Sequence, residues 1–156
     1  MTKLYVASSW RNTVYTTLLQ NLRDTGHECY DFRNPGDGDD GFSWSKVDPE
    51  WKSWTLDQYN NGLLHPASQQ GFKLDKSALD WCEQLVLVLP CGKSAHVEAG
   101  YASGCGKKVH VYIPQGMKED YKGNPIWEPE LMYLLFTTIC GNLDGLNYAL
   151  HKHRPK

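Results

Sequence analysis

Short apolar runs alternate with amphipathic stretches along the chain. Lys3–Ala7 (KLYVA) predicts a strand, and a polar turn, Ser8-Ser9-Trp10-Arg11-Asn12, follows it. From Thr13 to Thr25, helical spacing places Val14, Leu18, Leu19 and Leu22 on one face, and Gly26 can stop that helix. His27–Phe32 (HECYDF) predicts a second strand. A β-turn-α-turn-β unit of this size suits a crossover in a parallel sheet. The Gly/Asp-rich stretch 33–44 predicts a loop. Asp48-Pro49 suggests an N-cap with proline at the first helical position. Thr55-Leu56-Asp57-Gln58 fits a capping box before a short helix ending near Pro66.

Phe72–Cys82 predicts another helix. Gln84–Leu89 (QLVLVL) is the clearest strand, apolar enough for burial on both faces. Ser94 is the expected N-cap of a helix from Ala95 to about Ser103. Lys108–Ile113 predicts the fourth strand, 114–125 a polar loop, Glu128–Ile139 a helix, and Asn142 the cap of a last helix to about Lys152. This βα alternation gives an α/β class: a flavodoxin-like or Rossmann-like three-layer sandwich with a mostly parallel sheet of four to five strands. At 156 residues the chain is expected to be a single domain, 1–156, with a Trp-rich insertion at about 34–70. In such sheets ligands bind beyond the carboxyl ends of the strands, which selects 8–12, 32–36 and 90–98.

Composition narrows the function classes. A formal net charge of −2 gives no argument for nucleic acid or an anionic membrane as partner. The mean hydropathy of −0.56 and the brevity of apolar runs such as Leu85–Leu89 predict no membrane span. Five cysteines without a CxxC pair suggest a reduced, cytoplasmic chain with neither a disulfide framework nor a metal site. No cofactor is expected, and the phosphate-loop pattern GxxxxGK[ST] does not occur.

Glu98 is the first chemical candidate. It is expected in the first turn of the helix after the buried third strand, where the helix dipole favours an ionised carboxylate able to attack an electron-poor carbon. The same placement also suits plain helix stabilisation. Asp75, on the preceding helix, is the second. Paired carboxylates are what glycosidic cleavage uses, although a solvated face with Lys73 and Lys76 is the bland alternative. Ser9 and Arg11 sit in a turn suited to an anion or to a simple cap, and Asn34 reads as a ligand contact or a loop cap. His96 can orient Glu98, meet a ligand or cap the helix. Trp44, Trp51, Trp54, Tyr59 and Trp10 can form a stacking wall for a base or a satellite core.

The segment Gly92-Lys93-Ser94-Ala95-His96-Val97-Glu98-Ala99-Gly100-Tyr101-Ala102, followed by Gly106-Lys107, resembles the nucleoside 2-deoxyribosyltransferase superfamily. That group includes nucleotide N-glycosidases. The likeness spans 3–31 and 71–113 and looks nearest to a bacterial and phage branch. It implies Glu98 as the nucleophile on C1′ of the sugar, and Asp75, eight residues before Glu83, as the catalytic acid or a base contact. It also implies Tyr5 near the nucleophile, and Ser9 and Arg11 at a 5′-phosphate or its surrogate. Gly92, Ser94 and His96 fall in the matching loop, and Asn34 ends the second strand. The implied activity is cleavage or transfer at the N-glycosidic bond of a nucleoside or nucleotide, in a homo-oligomer. The insertion 34–70 and the residues Lys93 and His96 depart from the transferase pattern. The competing reading is a non-catalytic nucleotide sensor of the same fold, with the Trp-rich insertion as cap or partner surface.

Overall fold

The structure is a computed structural model that describes residues 1–154 except 37 and 121. Asp37 in the expected loop 33–44, Tyr121 in the loop 114–125, and Pro155 and Lys156 lie outside the described residues. Two compact units form. One joins Met1–Asp31 to Trp81–Lys156, and the other is Phe32–Asp80.

The first unit is built on five parallel strands: β1 (Lys3–Ala7), β2 (Glu28–Tyr30), β3 (Gln84–Val88), β4 (Lys108–Tyr112) and β5 (Thr138–Cys140), in the order β2-β1-β3-β4-β5. This is the flavodoxin-like arrangement. Its helices are α1 (Tyr15–Asp24), α4 (Lys93–Gly104) and α5 (Leu143–Lys152); α2 (Leu56–Leu63) and most of α3 (Pro66–Trp81) belong to the second unit. The connections β1→β2 and β3→β4 run in opposite directions, so right-handed crossovers put α1 and α4 on opposite faces of the sheet. Every residue of β3 is fully buried, which is why the strand reads as an unbroken apolar run.

One polar network crosses this core. His110 shares a sheet face with Val86, its register partner. Its Nε2 lies 2.7 Å from Gln84 Oε1, and its Nδ1 lies 2.8 Å from Thr138 Oγ1. Gln84 Nε2 donates to the Leu150 carbonyl on α5 at 3.2 Å. That leaves Gln84 Oε1 as an acceptor, so His110 donates from Nε2 and accepts at Nδ1 from the Thr138 hydroxyl. Burial pushes the His110 pKa down to about 4.

Three expectations are corrected. Glu128–Ile139 is not a helix: a 3-10 turn over Leu131–Leu135 precedes the edge strand β5. The run Thr137-Thr138-Ile139 is β-branched and favours a strand. Thr137 N donates instead to the Val109 carbonyl at 2.8 Å. Asp48-Pro49 opens no α-helix; Asp48 Oδ1 accepts from Glu50 N and Oδ2 from the Trp54 indole, at 2.9 and 2.7 Å. And α4 begins earlier than expected, with Gly92 rather than Ser94 as its N-cap.

The second unit contains α2 (Leu56–Leu63) and most of α3 (Pro66–Trp81). The Thr55/Gln58 capping box is present at α2, in both directions. Trp44 packs edge-on against Phe42, Trp54 and Tyr59, with ring centroids 4.9, 5.6 and 5.9 Å apart. Trp44 and Trp54 pack on one another half-buried, and Tyr59 stays exposed. Gly62 is required beneath Trp54, because a Cβ there would stand 2.6 Å from the indole.

Candidate functional site

Between β1 and β3 the sheet connections diverge, and a cleft opens at the carboxyl ends of these two strands. Ser9, Arg11, Asn12, Pro90, Cys91 and Gly92 line it, joined by Asp120, Lys122 and Asn124; its volume is about 210 Å³. The two strand ends are tied together. Ser8 Oγ donates to the Val88 carbonyl at 2.9 Å, and Asn12 Nδ2 donates to the Pro90 carbonyl at 3.2 Å. Asn12 Oδ1 also accepts from Val14 N at 2.9 Å, which joins the cleft floor to the start of α1. Arg11 is exposed and Ser9 half-buried, so both offer polar groups to the opening.

The far wall is a loop that sequence reading left as merely polar. Asp120 Oδ1 accepts from the backbone N–H groups of Lys122 and Asn124 at 2.8 and 2.9 Å. The Asn124 backbone bond is the main cause that holds the Asp120 carboxyl below its ordinary range. Gly123 takes the left-handed φ of 80° that this turn needs. The signal was present in the Asp-x-Lys-Gly-Asn spacing, which marks a tight turn, but spacing alone does not tell which strand end a turn will face.

Glu98 is the sixth residue of α4 and lies in its second turn, beyond the strongest influence of the helix N-terminus. It is half-buried, and its charge, after burial, pushes the Cys91 thiol up to about 12. The carboxylate therefore acts electrostatically on a residue that lines the cleft, while Cys91 stays a protonated thiol. Tyr5 is fully buried on β1 and stacks on Tyr30, centroids 5.2 Å apart. Ser94 is exposed in the first turn of α4. The His96 ring makes two close contacts: Nδ1 lies 2.9 Å from the Gly92 carbonyl oxygen, and Nε2 lies 2.9 Å from the Tyr133 hydroxyl. Tyr133 had no sequence signal, since it falls where a helix was expected.

The remaining two candidates belong to the second unit. Asn34 is exposed. Asp75, on α3, lines a hollow of about 150 Å³ with Phe32, Phe42, Lys46, Gln70 and Leu74 among its walls. Of the predicted set, the structure gathers Ser9, Arg11 and Gly92 around one cleft.

Among the described residues no group of three or more His, Cys, Asp or Glu side chains could hold a metal ion, and no helix is long and apolar enough to cross a membrane.

A parallel five-stranded sheet in this order, with a polar cleft at its switch point, defines a flavodoxin-like α/β protein. Solved structures narrow the fold. A 2-deoxyribosyltransferase from Bacillus psychrosaccharolyticus overlays with a TM-score of 0.54 at 16% identity, covering 92% of this chain and 88% of that one. A conserved protein from Enterococcus faecalis V583 overlays at 0.61 and 14% identity, over 99% of both chains. The chain thus has the fold of the nucleoside 2-deoxyribosyltransferases. A CMP N-glycosidase from Clostridium botulinum gives 0.45 at 16% identity, too loose an overlay to argue from. No family model and no curated protein matches the sequence.

Proposed function

We propose that this protein cleaves or transfers at the N-glycosidic bond of a nucleoside or nucleotide. The observation that carries the proposal is the switch-point cleft, which presents Ser9 and Arg11 on one strand end and Gly92 on the other.

In this reading Glu98 attacks C1′ of the sugar as the C1′–N bond breaks. The bonding electron pair leaves with the base, which takes a proton from water. The product of this step is a glycosyl ester on Glu98. A second water then attacks C1′, loses its proton to solvent and frees Glu98; a second base in place of this water makes the reaction a transfer. Tyr5 stands beside the nucleophile as a packed wall. Ser9, Arg11, Gly92 and Ser94 hold the substrate, with the arginine fork and hydroxyl suited to a 5′-phosphate. The 131–135 turn exposes Leu131, Met132, Leu134 and Leu135, which supports the expected self-association; light scattering after size-exclusion chromatography tests it.

The deciding experiment is a mass-spectrometric survey of base release across nucleosides and nucleoside monophosphates, with and without an acceptor base. One substrate should turn over, and Glu98→Gln should lower that rate by at least about 10³ with an unchanged circular dichroism spectrum. Turnover that survives the substitution removes Glu98 from the mechanism. Thermal stabilisation by a nucleotide with no base released would establish the sensor reading instead.

A further inference from the structure

We infer that Tyr133 is a positioning residue for the switch-point cleft: its hydroxyl holds the His96 ring in the Nδ1–H form, and that ring anchors the Gly92 carbonyl and with it the 90–92 rim. The inference rests on the reading of this cleft as the substrate site.

The hydrogen-bond chemistry leaves one arrangement for the neutral ring. A carbonyl oxygen only accepts, so the hydrogen that bridges Nδ1 and the Gly92 oxygen at 2.9 Å must sit on Nδ1. In a neutral imidazole Nε2 then carries a lone pair, and a group 2.9 Å from it must donate. Tyr133 does so. Its hydroxyl keeps its proton, since burial and then the neighbouring Cys91 and Glu130 push its pKa up to about 12. Cys91 Sγ, 3.6 Å from Nδ1, is a competing neighbour, but its own elevated pKa keeps it a weak thiol partner.

The ring is also held in plane. Tyr133 stacks on His96 with centroids 5.8 Å apart and 10° between planes, and Phe136 stacks on Tyr133 at 5.6 Å. A second tie fixes the turn that carries Tyr133: Ser103 Oγ donates to the Leu135 carbonyl at 2.8 Å. His96 and Ser103 are seven residues apart, two turns along one face of α4, so the 131–135 turn is clamped to that helix at two points.

The rim needs this anchor. The first backbone bond of α4, from His96 N to the Gly92 carbonyl, is stretched to 3.5 Å. The imidazole supplies the shorter link to the same oxygen. Gly92 is both the N-cap of α4 and a wall of the cleft. Holding its carbonyl therefore fixes the opening that Ser9 and Arg11 face.

Long-range proton–nitrogen spectra of the ¹⁵N-labelled full chain test this without reference to activity. Wild-type His96 should show a protonated Nδ1 and an unprotonated Nε2. The opposite pattern in the wild type overturns the inference, and this reading needs no variant to fold. Tyr133→Phe should abolish the fixed pattern and speed exchange at least tenfold at the amides of positions 96 and 97 in the first turn of α4, the first of which donates to the Gly92 carbonyl, leaving Ala99 and Ala102 in mid-helix unchanged. In a His96→Ala background Tyr133→Phe should then have no further effect on those amides. Unchanged His96 nitrogens or unchanged exchange at those two amides in Tyr133→Phe would overturn the positioning role. Once a turned-over nucleotide is in hand, Tyr133→Phe should raise KM several-fold and hold kcat within twofold; a fall in kcat alone would also overturn it. A protein that releases no base from any substrate would refute the proposed function, while the spectra would still decide on Tyr133.

Discussion

Acidification should destabilise this protein by charging His110. The ring is fully buried, donates to Gln84 and accepts from Thr138, and burial is the largest cause that holds its pKa down, followed by the nearby His153 and then Lys108. In the unfolded chain the same ring titrates at its ordinary value of 6.5. Between that value and about 4 the unfolded state binds a proton that the folded state refuses, so stability falls as the pH drops through this window. The full stability is present above 6.5. The gap between 6.5 and about 4, at roughly 1.4 kcal/mol per pH unit, comes to about 3.5 kcal/mol, of which about 3 kcal/mol is lost by about pH 4. Urea unfolding followed by circular dichroism and by tryptophan fluorescence, from about pH 7 down to about pH 4, measures it in wild type and in His110→Gln. The variant keeps a polar group for Gln84 and Thr138 but cannot titrate. The wild-type stability should fall about 3 kcal/mol further than the variant's over that range. His27, lowered mainly by burial, contributes with the same sign in both proteins and cancels in the comparison. Parallel pH curves for the two proteins would refute the argument.

Two packing predictions follow from the same structure. Gly62→Ala should lower the stability of the second unit by about 1–3 kcal/mol, because the new Cβ would meet Trp54 at 2.6 Å and the indole is held by Asp48; a thermal melt read by fluorescence checks it, and a neutral or stabilising result would show that the ring can yield. Leu87→Ala, in the middle of the fully buried β3, should cost about 2–5 kcal/mol in urea unfolding, and a loss below about 1 kcal/mol would contradict the packing described.

Local rules reached far into the fold, and they failed where partners are remote in the chain. β1 and β3 were legible because burial on both faces leaves an apolar run, and the Thr55 and Asn142 caps were legible because capping is decided within four residues. β5 was misread as helix because it is short and half-exposed, and its identity depends on β4, whose edge receives Thr138–Cys140. The start of α4 was misplaced by two residues: Ser94 looked like a cap, yet Gly92 takes that place and its carbonyl is held by a side chain from the next turn. The same limit applies to the cleft. Ser9, Arg11 and Gly92 could be placed by the strand-end rule, whereas Lys122, Asn124 and Tyr133 arrive from segments whose positions only the assembled sheet determines.

The split of the first unit into two chain segments bears on biosynthesis. β1, α1 and β2 leave the ribosome first, but β1 needs β3 as its second neighbour, and the whole of 32–80 must be made before β3 exists. At about 5–20 residues per second that is a wait of several seconds, with one edge of a buried strand unpaired. The wait is longer for Gln84, whose amide meets its acceptor only when Leu150 emerges. Nascent chains halted before α5 should therefore carry a protease-sensitive sheet, and a ribosome-bound chaperone would find its natural client in that interval.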